Sequence, residues 1–227
     1  MGRLSGAWLV RTAYDALAHA VAGCSEERSW APTACRGWAV RDLTFHCLAD
    51  AQRALVAVHT PTSERTDRDA VTYWRDWAPD PVGASNGRRF VRVAASMFSD
   101  WDQLRDLYLE TSAAVCEAIA SLPPQRCIRT QGHVLTVEDL ASTLCVEATI
   151  HHLDLAVGLG ASPGASPGPS PDGLAEVRRV LEGLVGVPVN VAWTDERYAR
   201  VATGRAEATA DEARALGSVV ERFPLFS

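Results

Sequence analysis

The stretch Thr136–Gly158, TVEDLASTLCVEATIHHLDLAVG, decides how the remaining residues are read. Thr136 stands three residues before Asp139 and just ahead of an apolar run, the pattern of a capped helix start. Leu140, Leu144, Glu147, His151 and Leu155 then recur at steps of three or four, so they share one helix face. Glu147 and His151 put a carboxylate and an imidazole one turn apart on a face where a core would prefer aliphatic side chains. Burying such groups costs several kcal/mol unless something satisfies them. A divalent cation would satisfy both.

A second imidazole comes from the segment Val40–Val58, where Leu43, His46, Asp50, Ala54 and Ala57 also fall on one helical face. His46, Glu147 and His151 form a two-histidine, one-carboxylate set. Zn²⁺ takes such a set with one coordination position left open. Asp50 lies four residues after His46 and Asp154 three after His151, spacing that suits outer carboxylate partners for the two imidazoles. A dication with one carboxylate and two neutral imidazoles keeps about one positive charge, which suits a thiolate or hydroxide. The alternative is that each histidine is a hydrogen-bonded core residue. His19, His59 and His133 have no partner at ligand spacing and are read as structural. His152 points about 100° from His151. Cys47 and Cys145 are expected to face away from the site as small buried hydrophobes.

Around these two segments the chain reads as mainly helical. Leu4–Ala22 has the helical period, and residues 24–38 form an ordered connection holding Pro32 and Gly37. Residues 60–87 read as a long loop with a short helix around Asp69–Trp77. One continuous helix is expected over Arg88–Leu122, stopped by Pro123-Pro124, with Phe90, Ala94, Met97, Trp101, Leu104, Tyr108 and Val115 on its buried side. Gln125–Leu135 is a short connection. The four helices make an antiparallel bundle over residues 1–159 with its site inside. A Pro/Gly/Ser linker (160–172, including GASPGASPGPSP) leads to a small α+β module over 173–227. In that module Leu174–Leu184 is helical, VNVAW and YARVAT pair as strands, and a last helix covers Asp211–Leu216. A module this small is expected to dock on the bundle.

Composition narrows the function. The net charge of −6 and the absence of any basic run argue against a nucleic-acid partner. All 22 basic residues are arginine, so lysine Schiff-base chemistry is excluded. No segment has the length and apolarity of a membrane span, and the N-terminus has no signal-peptide pattern. The six cysteines form no C-x-x-C pair, which fits a reduced, cytoplasmic protein.

Trp30, Pro32, Thr33, Cys35, Gly37, Trp38, Val40, Arg41, Asp42, Leu43 and His46 stand in an order that resembles the N-terminal signature of the mycothiol-dependent maleylpyruvate isomerase family, in the DinB-like superfamily. Glu147, His151, Asp154 and Leu155 resemble that family's second signature, and Thr203-Gly204-Arg205 and Phe223-Pro224-Leu225 resemble its endings. The resemblance implies a DinB-like four-helix bundle. It also implies Zn²⁺ or another divalent metal on His46, Glu147 and His151, and mycothiol or a similar low-molecular-weight thiol as cosubstrate. The lysine-free, alanine-rich composition agrees with an actinobacterial source. Two departures stand out. The tail is shorter than that of the isomerase, whose C-terminal domain supplies a functional arginine matched here by Arg205. Ala39 replaces the usual Ser or Thr cap.

Together these readings lead to a metal-dependent thiol transferase acting on an electrophilic small molecule. Arg205 and Arg41 are the candidate cations for holding carboxylate or hydroxyl groups of thiol or substrate. The alternatives are cis–trans isomerisation of a maleylpyruvate-like diacid, and a non-catalytic metal- or ligand-binding protein whose site is closed by a fourth ligand. A homodimer is left open.

Overall fold

Hydroxyl caps set where most of the helices begin. The computed structural model describes residues 4–76, 81–160, 168–187 and 189–226. Ser5 accepts the Trp8 N–H ahead of α1 (Gly6–Ala22), and Ser25 accepts that of Arg28 ahead of the short α2 (Glu26–Ser29). Helix α3 (Val40–Val58) begins at Ala39, which has no hydroxyl. The Asp42 carboxylate accepts the Ala39 N–H at 2.9 Å and closes that end from the other side. A 3₁₀ turn covers Thr72–Asp76 within the expected Asp69–Trp77 segment, and Trp77 itself lies outside the described residues.

The expected single helix over Arg88–Leu122 is two helices, α4 (Pro81–Ala95) and α5 (Trp101–Ala120). The Ser96–Asp100 stretch between them has the short polar side chains that favour helix ends over helix interiors. Helix α5 restarts where Glu26 accepts the Trp101 N–H at 2.7 Å and the Trp101 indole donates to the Cys24 carbonyl at 2.7 Å. The break puts the two halves out of phase. Trp101, Leu104, Tyr108 and Val115 are buried as expected, but Phe90 and Met97 are exposed.

The expected connection Gln125–Leu135 contains a hairpin, β1 (Cys127–Thr130) antiparallel to β2 (His133–Thr136), with Thr130 opposite His133. Its two-residue turn is Gln131-Gly132, with φ of +49° and +83°, the left-handed pair that a tight hairpin needs. Residues 60–62 add to its edge through the Thr62 N–H to the Cys127 carbonyl and the Arg129 N–H to the Thr60 carbonyl. The chain is thus mainly helical with one small sheet, and that sheet lies between α5 and the organising helix.

That helix, α6 (Val137–Leu159), starts at Thr136, whose Oγ1 accepts the Asp139 N–H at 3.0 Å and donates to the Asp139 carboxylate at 2.6 Å. It packs against α1 and α3, while α5 packs against the same two helices from the other side of the bundle. Helix α7 (Pro171–Val185), capped by Ser170, covers the remaining side of α6 and also touches α1. Apolar and small residues therefore cover α6 nearly all round, as expected of a helix with neighbours on every face. Gly173 makes the close approach possible, since a Cβ there would stand 2.5 Å from Thr149 Oγ1.

The C-terminal segment differs from expectation. Residues 189–203 form no strand among the described residues. Thr194 caps α8 (Asp195–Ala202), with Asp195 and Glu196 in its first turn. Tyr198, Ala199, Val201 and Ala202 are buried, and Tyr198, Ala202 and Val201 recur at helical steps of three or four. The apolar alternation had suggested strands, but the acidic cap decides for helix. Helix α9 (Ala210–Leu216), capped by Thr209, and a 3₁₀ turn over Gly217–Arg222 lead to the tail. The tail docks on the body: Phe226 stacks on Trp74 at 4.6 Å, and the Leu225 N–H donates to the Ala202 carbonyl. Of the expected linker, residues 161–167 lie outside the described residues. No helix among the described residues is long and apolar enough to cross a membrane.

Candidate metal centre

Helices α3 and α6 face each other, and their polar side chains meet across that contact. His46 Nε2 lies 3.0 Å from His151 Nε2, with the two rings edge to face at 4.7 Å between centroids. Glu147 Oε2, one turn before His151, lies 3.1 Å from His151 Nε2. The three donor atoms of His46, Glu147 and His151 all fall within 4.8 Å of one another. Such separations suit one cation with bonds of about 2.0–2.2 Å to each atom. The side chains of His46 and Glu147 stay 27% and 28% exposed, so the group is not sealed from solvent.

Behind His151 stands a second layer. Asp154, 1% exposed, accepts from His151 Nδ1 at 3.1 Å, from the Cys35 thiol at 3.2 Å, and from Arg205 through two parallel bonds of 2.7 Å. Burial pushes Asp154 up, but the bonds and charges of His151 and Arg205 outweigh it and hold the carboxyl well below the usual range. Burial pushes His151 down, yet its bonds to Asp154, Cys35 and Glu147 raise it well above an ordinary histidine. Glu147 is raised by burial and lowered more by the His151 bond and the charges of His151, His46 and Arg205. His46 goes the other way, lowered to about 4 by burial and the charge of His151. The Nδ1 bond to Asp154 turns His151 Nε2 toward His46 and Glu147, the nitrogen that a bound cation would take in place of a proton.

The sequence-derived residues fall into place unevenly. Asp50, expected as an outer partner of His46, lies 3.4 Å from the same Nε2 that faces His151. Its carboxylate therefore sits beside the donor atoms and not behind the ring, because i and i+4 side chains project into one groove. Burial and the Glu147 charge raise it to about 7. Arg205 reaches the site from the tail, where Asp154 engages its guanidinium through two bonds of 2.7 Å. Arg41, 3% exposed, is not among the donor atoms. It lies 4.1 Å over the Trp30 ring, donates to the Phe98 carbonyl at 3.2 Å, and lines a neighbouring cleft. Cys47 departs from expectation by lining a small cavity of about 10 Å³ with Tyr14, Asp50, Tyr108, Glu147 and His151. It is next to His46 in sequence and shares the same packed groove. Burial raises its thiol to about 12.

Two contributors were not singled out as site residues. Cys35 was visible only as one letter of the first signature, and nothing local showed that its thiol meets Asp154. Trp38, from the same signature, packs its ring 5.2 Å from the His46 ring and fixes that imidazole. All six cysteines are free thiols.

A family model described as the mycothiol maleylpyruvate isomerase N-terminal domain matches residues 10–156, a stretch that contains His46, Glu147, His151 and Asp154 and stops well before Arg205. No curated protein and no solved structure matched the chain.

Proposed function

The chain belongs to the mycothiol maleylpyruvate isomerase N-terminal domain family, a DinB-like fold, and from that premise we propose that it is a divalent-metal-dependent enzyme transferring a low-molecular-weight thiol, mycothiol, to an electrophilic small molecule. The observation that carries this reading is the meeting of His46, Glu147 and His151 within 4.8 Å at a partly open surface. Zn²⁺ or a similar cation on these three side chains supplies Lewis acidity toward an incoming sulfur.

The residues themselves do the rest. Asp154 holds the Nδ1 proton of His151, and Arg205 holds Asp154 ionised, so the imidazole keeps one tautomer and one orientation. Trp38 shields the His46 ring from water on one side. The Asp50 carboxylate at the rim takes the proton that the thiol loses as its sulfur forms a bond to the electrophilic carbon. The electron pair released there goes to a leaving group or to the far atom of a double bond. The six free cysteines fit a reducing cytoplasm, where such a thiol is kept reduced.

Isomerisation of a maleylpyruvate-type diacid, the activity in the family's name, would need cations at the centre to hold two carboxylates. Arg205, which reaches the centre from the tail, is engaged by Asp154, which favours transfer.

Metal content and thiol-adduct formation, measured together, test the proposal. Wild type is expected to keep about one equivalent of metal through dialysis, and His46→Ala less than about 0.1. Adducts of mycothiol with a reporter electrophile such as monobromobimane should form faster than in solution with wild type only. Full metal occupancy in His46→Ala would overturn the ligand set. Undiminished adduct formation by the metal-stripped wild type would overturn the catalytic role.

A further inference from the structure

A cleft of about 770 Å³ opens beside Trp38, between the entrance to α3 and one face of α4. Five arginines line it: Arg36 and Arg41 from the connection and the start of α3, and Arg88, Arg89 and Arg92 from α4. One carboxylate, Asp42, shares the lining, and its oxygen already accepts the Ala39 N–H.

Several arginines elsewhere are differently placed. Arg178, Arg179, Arg197, Arg200 and Arg214 each meet a carboxylate at 3.1 Å or less. Among the described residues, no carboxylate pairs with Arg36, Arg88, Arg89 or Arg92, and Arg41 has only Glu26 at 3.6 Å. Arg41 is the most buried of the five. It is 97% buried, it lines the cleft, and its Nε has no hydrogen-bond partner. Such a donor is completed by a water or an ion, or is left as strain.

Size and shape narrow the occupant. A cleft of this volume belongs with sites for drug-sized ligands, and a four-carbon diacid would fill only a small part of it. Arg88 and Arg92, one turn apart on α4, line the same cleft as Arg36 and Arg41, a spread of charge that suits an occupant with more than one anionic group. Guanidinium forks bind carboxylate and phosphate alike, and phosphate concentrates more charge and more acceptor oxygens on one group. The Trp30 ring, 60% exposed, has Arg41 on one face and offers a stacking surface for a planar ring.

We propose that this cleft binds a phosphate-bearing ligand of nucleotide size, with its phosphates among Arg36, Arg41, Arg88 and Arg92 and a planar ring against Trp30. Trp38 forms the wall between cleft and metal centre, since it lines the one and touches His46 in the other. Its indole also donates to the Arg88 carbonyl at 3.3 Å, which ties α4 to that wall. The inference rests on the cleft and not on the metal reading, so the two fail separately.

Calorimetric titration with ADP, inorganic pyrophosphate and malate tests it, using the full chain and the double variant Arg88→Ser/Arg92→Ser. Both arginines are outside the metal centre, and a thermal melt verifies that the variant folds. ADP is expected to bind, to bind more tightly than pyrophosphate because of its ring, and to weaken as salt rises. The double variant should lose about tenfold or more in ADP affinity, the scale of lost charge-assisted hydrogen bonds. Protein treated with a chelator should keep its ADP affinity within about twofold, since these contacts involve no metal. Absence of binding by ADP and pyrophosphate at millimolar concentration would overturn the proposal. So would equal binding by wild type and variant, or loss of ADP binding on chelation. Malate binding as tight as ADP would also overturn it, in favour of a small-diacid site.

Discussion

Around His151 the charged groups neutralise one another at close range. Asp154 is held by Arg205 through two bonds of 2.7 Å, and His151 is held between Asp154 and Glu147 at 3.1 Å each. On the other side of Trp38, five arginines share a cleft in which the closest acidic partner of Arg41 is 3.6 Å away. The two regions lie next to each other and are built on opposite principles. The first is complete within the chain, its side chains locked before any small molecule arrives. The second leaves Arg36, Arg88, Arg89 and Arg92 outside the buried core with no carboxylate paired to them among the described residues, at the expense of mutual repulsion that an incoming anion would relieve. Orientation requires internal partners, and recognition requires their absence.

The largest effect should come from breaking the first region. Asp154→Asn leaves Arg205 buried without its counter-charge and is expected to cost about 3–5 kcal/mol of stability. Urea denaturation of the two proteins measures this directly. A loss of less than about 1 kcal/mol would mean that Arg205 finds water instead, as a surface pair does.

Acid provides the next test. Burial, with the charge of His19 adding to it, lowers His152 to about 4, whereas an unfolded histidine titrates near 6.5. Between those values the unfolded chain binds more protons, so stability is full above about pH 6.5 and falls as pH drops toward 4. The loss is up to about 3 kcal/mol from this residue. Denaturation at pH 4.5 and pH 7 should show the decline, and His152→Gln should lessen it, with His46, Asp154 and Glu147 supplying the rest.

A subtler break spares the charge. Arg205→Lys keeps the cation but cannot form two parallel bonds to Asp154, so the His151 ring is less firmly set. Metal affinity is expected to fall about 10–100-fold, the scale seen when groups behind a ligand are altered. Competition with a chelating dye reads this out. The smallest effect sharpens the contrast: Arg92→Ser, in the cleft, should change stability by no more than about 0.5 kcal/mol and in the stabilising direction if repulsion dominates. A loss comparable to that of Asp154→Asn would show that the cleft arginines are structural after all.

The sequence made one of these regions visible and hid the other, for physical reasons. Glu147, His151 and Asp154 lie within three turns of one helix, and His46 lies on the apolar stripe of another, so periodicity alone brings them onto facing surfaces. The cleft depends on where α4 ends. Read as one helix over Arg88–Leu122, the segment places Phe90 and Met97 in the core. In the structure the break at Ser96–Asp100 turns them outward and leaves Arg88 and Arg92 along the cleft. What fixes that break is the Trp101 N–H on Glu26, a contact across 75 positions that no local pattern records. The C-terminal error was local. VNVAW alternates like a strand, but Thr194 with Asp195 and Glu196 behind it is a helix start, and capping won. The hairpin at Gln131-Gly132 was there to be read from alternating residues on each side of a glycine, a pattern weaker than Asn-Gly.

The bond between Arg205 and Asp154 has a practical consequence for anyone dividing this molecule. The family match ends at residue 156 and encloses every donor atom, so a truncation there would look complete on paper. Such a fragment would carry the carboxylate that steers His151 but not the guanidinium that keeps it ionised. The boundary drawn by homology and the boundary drawn by electrostatics fall about fifty residues apart, and transplanting the centre into another scaffold means carrying the tail along with it.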